Sequence, residues 1–215
     1  MAAMITHLHR VIAAAPGGPD DDHENHPMRL VTREAAFEER NWSPERAGKV
    51  TESFDALAPQ WEEMHPIEHR RPPLADAIER GGPFHGSRWL EVGSGAGSQS
   101  GWLRERCNTL IATDISLEML KQAPTKPPRL RADASRLPLA DGTVDVAVLV
   151  NALLFPSEMH RVLCSSGALV WVNTYGKHTP IYLSAEDVNA ALGQDWDGVA
   201  SEADWGTWAV LRRSR

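Results

Sequence analysis

Cysteine is scarce: 215 residues hold two, Cys107 and Cys164, at neither a CxxC nor a metal-ligand spacing. That excludes a disulfide framework and a cysteine-ligated metal centre, and it predicts a reduced, cytoplasmic setting. Long apolar runs are also missing. No stretch approaches the ~18 residues that a membrane-spanning helix needs. The opening MAAMITHLHRVIAAAP is broken by His7, His9 and Arg10, and no charged segment precedes it, so it does not read as a secretory signal. Basic residues are outnumbered, 22 against 29 acidic, for a net charge of −7 with His neutral. A nucleic-acid partner needs a basic face that this balance does not supply, and Arg129, Arg131 and Arg136 read as a solvated loop. There is no aspartate-rich metal site either.

What is present divides into three segments. PGGPDDDHENHPM (Pro16 to Met28) is polar, acidic and turn-forming. It buries too little apolar surface to offset its ordering entropy, so residues 1–27 are expected to be a disordered tail. His7, His9, His23 and His26 lie in that tail without a second ligand group spaced to close a metal site. Residues 28–87 read as a helical region. Val50, Phe54, Leu57, Trp61 and Met64 recur at steps of three and four, one apolar stripe, with Pro59 predicting a break. RRPPLADAIERGG reads as a helix that begins at its prolines and stops at a glycine pair.

From residue 88 strand and helix signals alternate. RWLEV (88–92), TLIATD (109–114), PRLRAD (128–133), TVDVAVLVN (143–151) and ALVWVNTY (168–175) read as strands. SQSGWLRERC (98–107), SLEMLKQA (116–123), PSEMHRVLCSSG (156–167) and SAEDVNAAL (184–192) read as helices, with Ser116 and Ser184 as caps. The last two segments, WDGVASEADW and GTWAVLRR, read as strands joined near Trp205–Gly206. Such alternation implies a doubly wound, mostly parallel α/β sheet with an antiparallel addition at one edge.

In a sheet of that kind ligands bind beyond the carboxyl ends of the strands. WLEVGSGAGSQSGWL puts Gly93, Gly95 and Gly97 at the end of the first strand of the alternation. Without Cβ atoms the turn reaches positive φ and a ligand can approach the backbone. A dinucleotide loop asks for G-x-G-x-x-G or A, but Ser98 stands at the third site. The Walker pattern is absent too. Glu91, at the strand-loop boundary, suits an ammonium group better than a pyrophosphate. Asp114 ends the second strand, where its carboxylate can accept from two ribose hydroxyls. Asp133 ends the third, where it can accept from an exocyclic adenine amine while a loop N–H serves a ring nitrogen.

LEVGSGAG, TDIS and ADASRLPLADGTVDVAVLVNAL together resemble the motif series of class I S-adenosylmethionine-dependent methyltransferases, in the small-molecule branch similar to ubiquinone and menaquinone biosynthesis enzymes (methyltransferase type 11). The resemblance covers Arg88 to Val172 well. It implies a Rossmann-like seven-stranded sheet with an antiparallel C-terminal strand, an N-terminal helical lid over residues 28–87, and a cofactor-binding core over 88–215. By position it implies that Glu91, Gly93, Ser94, Gly95 and Gly97 form the cofactor loop. Asp114 and Ile115 would hold the ribose and flank the adenine, Asp133 and Ala134 would contact the adenine, and Asn151 would face the methionine part and the acceptor. FDALAPQWEE looks like the family's lid helix, with Phe54 and Trp61 either lid aromatics or core packing.

The cofactor expected is therefore S-adenosylmethionine and the partner a small-molecule methyl acceptor. The sulfonium already carries an activated methyl, so holding a nucleophile in line and excluding water supplies most of the catalysis, and a base is optional. His65, His69, His160 and His178 are candidate bases, His65 first because it comes directly after the lid stretch. NALL after the central strand is not the N-P-P-aromatic signature of enzymes that methylate planar amino groups. Two other readings remain: a module that binds the cofactor without transfer, and a nicotinamide-dependent oxidoreductase, against which the third glycine position counts.

Overall fold

Strand β5 (Val144–Val150) has every side chain buried, and it forms the middle of the sheet. Its acid, Asp145, accepts from the Ser87 and Arg88 amides at 2.9 Å each and pairs with the Arg88 guanidinium, so the charge enters the sheet edge-on and satisfied. The computed structural model describes residues 4–19, 23–124 and 126–214. The remaining strands are β1 (Ile5–His7), β2 (Arg88–Val92), β3 (Thr109–Asp114), β4 (Arg129–Arg131), β6 (Leu163–Asn173), β7 (Trp196–Ala203) and β8 (Gly206–Arg213). Among the described residues they make one eight-stranded sheet in the order β1-β7-β8-β6-β5-β2-β3-β4. All pairings are parallel except those of β8 with β6 and with β7.

Helices cover both faces, as parallel strands require. Along β5 the side chains alternate between two cores. Ala147 and Leu149 join Trp171 and the inner sides of α1 (Pro27–Phe37), α7 (Pro156–Val162) and α8 (Ala185–Leu192). Val146 and Val148 join Val170, Trp208, Leu74 of α4 (Ile67–Arg80) and Leu103 of α5 (Ser100–Arg104). Between α1 and α4 run α2 (Pro44–Leu57), a 3-10 turn containing Pro59, and the short α3 (Trp61–Met64), so the break expected at Pro59 is present. After β3 comes α6 (Leu117–Gln122), capped by Ser116 as expected; Ser184 caps α8 with a full capping box.

Three expectations need correction. The sheet has eight strands, not seven, and residues 1–27 are not wholly a disordered tail. Ile5–His7 adds in parallel to β7, Ile12 bridges to Ala203, and the Ala15 amide donates to Asp204 at 2.8 Å. The cause is the bare edge that β7 would otherwise present, a row of unpaired N–H and C=O groups that the amino-terminal segment satisfies. Residues 1–3 and 20–22 of the expected tail lie outside the described residues, and His26 caps α1, its Nδ1 accepting from the Met28 amide at 3.1 Å. Second, α4 begins at Ile67, so Pro72 and Pro73 lie inside it rather than at its start. Third, the helix expected to run to Gly167 ends at Val162. The chain then enters β6, whose pairing with β5 shifts register between Val144 and Val146.

The edge strand is testable at Leu8, whose amide donates to the Ala200 carbonyl at 2.8 Å. Leu8→Pro removes that donor, which should cost about 1–2 kcal/mol in urea unfolding. Amide exchange along residues 5–8 and along β7 should accelerate with it; unchanged protection there would contradict the edge assignment.

Candidate functional site

The carboxyl ends of β2, β3, β4 and β5 open on a cavity of about 750 Å³, its mouth included. The three loop glycines all have positive φ, at 68°, 55° and 79°, but they serve different ends. A Cβ on Gly93 would sit 2.7 Å from the Ala152 methyl, and one on Gly97 would sit 2.9 Å from the Ala123 methyl. Those two glycines let loops pack. Gly95 alone has room, its nearest neighbour being Trp61 Nε1 at 3.6 Å, and it faces the cavity with Gly93 and Ser94.

Asp114 holds the bend. Its Oδ2 accepts from the Gly95 amide and its Oδ1 from the Ser116 amide, both at 2.8 Å. Burial pushes its carboxyl up from the ordinary range, and those amide bonds pull it back. Asp133 accepts from the Ser135 amide at 2.8 Å and from Trp42 Nε1 at 2.9 Å. Ile115, Ala134 and Asn151 also line the cavity, as does Trp61. Trp61 stacks on His65 with centroids 4.2 Å apart and meets Phe54 edge-on at 5.9 Å.

Two of the expected loop residues stay out of the wall. Gly97 packs against Ala123, and Glu91 lies beneath the bend, accepting from the Ser100 hydroxyl. Burial pushes the Glu91 carboxyl up to about 7; Asp114 adds to the push, while Ser100, Arg70 and Arg71 oppose it. Asn151 reaches the wall at φ 51°, but its amide is taken: Nδ2 donates to Thr174 Oγ1 at 2.8 Å, and Oδ1 accepts from the Thr174 amide at 2.9 Å. None of the four candidate histidines lines the cavity. His65 Nδ1 lies 3.1 Å from the Trp61 carbonyl, His69 Nδ1 3.0 Å from Asp204, and His160 Nε2 2.8 Å from the Leu192 carbonyl.

The sequence reading missed Arg70. Its side chain is almost fully buried, lines the cavity, and donates from Nη1 to the His65 carbonyl and to Ser98 Oγ, both at 3.2 Å. Burial lowers its pKa, against the pull of Glu62, Tyr175 and Glu91. Trp42, Val50, Phe155 and Ile181, also unforeseen, complete the wall from the lid and from the segments after β5 and β6. The paired arginines of RRPP were the available signal for Arg70, hidden by placing the helix start at the prolines.

Three buried polar atoms of the wall have no partner among the described residues: Ser94 Oγ, Arg70 Nε and Trp61 Nε1. Buried donors left unpaired cost free energy, so the cavity fits a ligand with an anionic, hydrogen-bonding end near Arg70 and a polar nucleoside end near Asp114 and Asp133. That is the pattern of an amino acid joined to an adenosine. Among the described residues no group of His, Cys, Asp or Glu could hold a metal ion, and no helix is long and apolar enough to cross a membrane.

Comparison with known proteins agrees with that geometry. Residues 90–171 match a family described as a methyltransferase domain. A malonyl-[acyl-carrier protein] O-methyltransferase of Hamiltonella defensa is 32% identical over 92 residues, covering 38% of this chain and 36% of that protein. The chain thus spans about a third of the length of this curated relative. Two solved structures share the fold. A SAM-dependent methyltransferase from Aquifex aeolicus superimposes with TM-score 0.58 at 18% identity, over 80% of this chain and 98% of that one. DhpI, in a complex with SAH, superimposes with TM-score 0.63 at 17% identity, over 78% and 97%.

Glu91 makes stability depend on pH. A carboxyl near 7 in the folded chain and near 4.5 when unfolded binds its proton more tightly when folded. Its stabilising contribution is therefore full below about pH 4.5 and lost as pH rises through about 7. Glu91→Gln should flatten that decline, worth roughly 3 kcal/mol across the window; urea midpoints between pH 5 and 8 that fall equally in both proteins would contradict it.

Proposed function

We propose that this chain, whose core is a class I S-adenosylmethionine-dependent methyltransferase domain, transfers a methyl group from that cofactor to a small organic acceptor. The observation that carries this reading is the convergence of Ser94, Arg70 and Trp61, each with an unpartnered buried polar atom, on the cavity that Asp114 and Asp133 also line. When bound, the cofactor supplies a methyl group already activated on a sulfonium sulfur.

The residues then have separate tasks. Asp114 accepts from the ribose hydroxyls while its existing bonds keep the glycine bend in place, and Ile115 flanks the base. Asp133 and the Ala134 backbone take the adenine edge, with Trp42 holding the Asp133 carboxylate from the lid side. Gly93, Ser94 and Gly95 give the methionine portion a bare backbone to lie on. Arg70 pairs with the carboxylate of that portion, and Glu91 beneath the bend offsets positive charge above it. Trp61 closes the cavity over the loop and excludes water, which strengthens every charge interaction inside.

Two ligands separate these assignments. Asp114→Ala should weaken binding of both S-adenosylmethionine and 5′-methylthioadenosine by about 10–100-fold, the loss of hydrogen bonds to a charged group. Arg70→Met should weaken the first to a similar degree and leave the second nearly unchanged, because 5′-methylthioadenosine has no carboxylate. Calorimetry reads both, with circular dichroism as the check on folding. Equal loss for both ligands in Arg70→Met would contradict the carboxylate assignment, and transfer of labelled methyl into no component of a metabolite extract would contradict the enzyme.

A further inference from the structure

Apart from the residues assigned to the cofactor, the cavity's wall is mostly apolar and includes Val50, Phe54, Leu153, Phe155 and Ile181, with Trp42 at the Asp133 end. They come from residues 42–54 and from the segments after β5 and β6, and an acceptor that enters the cavity meets them. The titratable groups in the whole wall are Arg70, Asp114 and Asp133. Asp114 and Asp133 already accept two hydrogen bonds each, and the Asn151 amide is spent on Thr174. None of the candidate histidines lines the wall, although His65 stacks on Trp61, which does.

We propose, resting on the transferase reading above, that the acceptor is an apolar molecule whose nucleophile ionises without help from the protein: a carboxylate, a thiolate or an acidic phenolate. An apolar chamber favours this chemistry physically. A lone anion is costly there, but opposite a sulfonium it is paired, and the low dielectric strengthens the attraction. The acceptor's lone pair forms a bond to the methyl carbon as the carbon–sulfur bond breaks, its electron pair remaining on sulfur. One negative and one positive charge become two neutral products, and no proton has to be removed. A neutral amine would instead take the positive charge onto its own nitrogen, as an ammonium that must then lose a proton where the wall offers no free base.

Binding and transfer test this independently. Octanoate and octanol are titrated calorimetrically into the full chain saturated either with sinefungin, which carries an ammonium in place of the sulfonium, or with the neutral S-adenosylhomocysteine. Octanoate should bind about tenfold tighter to the sinefungin form, a single charge pair's effect in a dry site, and octanol equally to both. Equal affinity of octanoate for the two forms overturns the proposal. With labelled S-adenosylmethionine, octanoate or octanethiol should accept methyl at a rate that tracks its own ionised fraction, at least about 100-fold faster than octylamine or octanol. Comparable labelling of octylamine or octanol overturns it, as does a pH profile identical for every acceptor. So does the absence of transfer to all four while cofactor binding is intact. Leu153→Glu should slow transfer to the anionic acceptor at least about tenfold more than Leu153→Gln does, through like-charge repulsion. Failure of the chain to bind sinefungin or S-adenosylhomocysteine at all counts instead against the transferase reading itself.

Discussion

The hydrogen bond from the Gly95 amide to the Asp114 carboxylate, 2.8 Å long, fixes the glycine bend against the neighbouring strand. The same carboxylate holds the Ser116 amide and so sets the start of α6. One buried acid therefore fixes two loops, and the backbone N–H groups of the bend point where they do because Asp114 cannot move. Beneath it Glu91 is a second buried acid, whose carboxyl is pushed up by burial and further by the Asp114 charge. A core designed for stability alone would not pair them. They are kept tolerable by Ser100, Arg70, Arg71 and the loop amides, and the arrangement makes sense as a floor for a ligand that carries positive charge.

The helical segments before β2 are fastened to this floor one loop at a time. Asp55 of α2 accepts from the Ser116 hydroxyl and from the Glu118 amide, tying this region to the end of β3. Trp42 ties it to the end of β4 through Asp133. Arg70, Arg71 and Glu62 tie it to Ser98, just past the end of β2. These are polar contacts at a rim, and beneath them α2, the 3-10 turn after it and α3 pack through a small cluster of Ala58, Ala96 and Met119 with Phe54 and Trp61. Segments held by few apolar contacts open at low free-energy cost, so the cavity opens most readily on this side.

Much of this architecture is legible in the amino-acid sequence, because the periodic part of the chain carries its own signals. Val144–Val150 is rich in β-branched residues and apolar but for Asp145, Ser116 and Ser184 stand one residue ahead of the helices they cap, and the carboxylates at 91, 114 and 133 lie at or near strand ends. The amino-terminal strand is not legible in the same way. Three residues, Ile5–His7, have no pattern of their own, and what orders them is the edge of β7, nearly two hundred residues away in sequence. Arg70 is hidden for a different reason. Helix α4 tolerates Pro72 and Pro73 in its interior, so a boundary rule based on proline puts the helix start too late and leaves the arginine in a loop.

Asn151 shows how one residue can border a cavity and also hold its shape. It stands at the end of the central strand and borders the cavity, yet both atoms of its amide are engaged by Thr174 at the end of β6. Asparagine tolerates the left-handed backbone better than most side chains, and at φ 51° it turns the chain sharply out of β5. The turn sends Ala152 toward Gly93, where a Cβ on the glycine would find the Ala152 methyl at 2.7 Å, and carries Leu153 and Phe155 into the wall. Asn151 therefore shapes the cavity it borders. Its side-chain amide joins two strand ends, and what it leaves facing the cavity is correspondingly less polar.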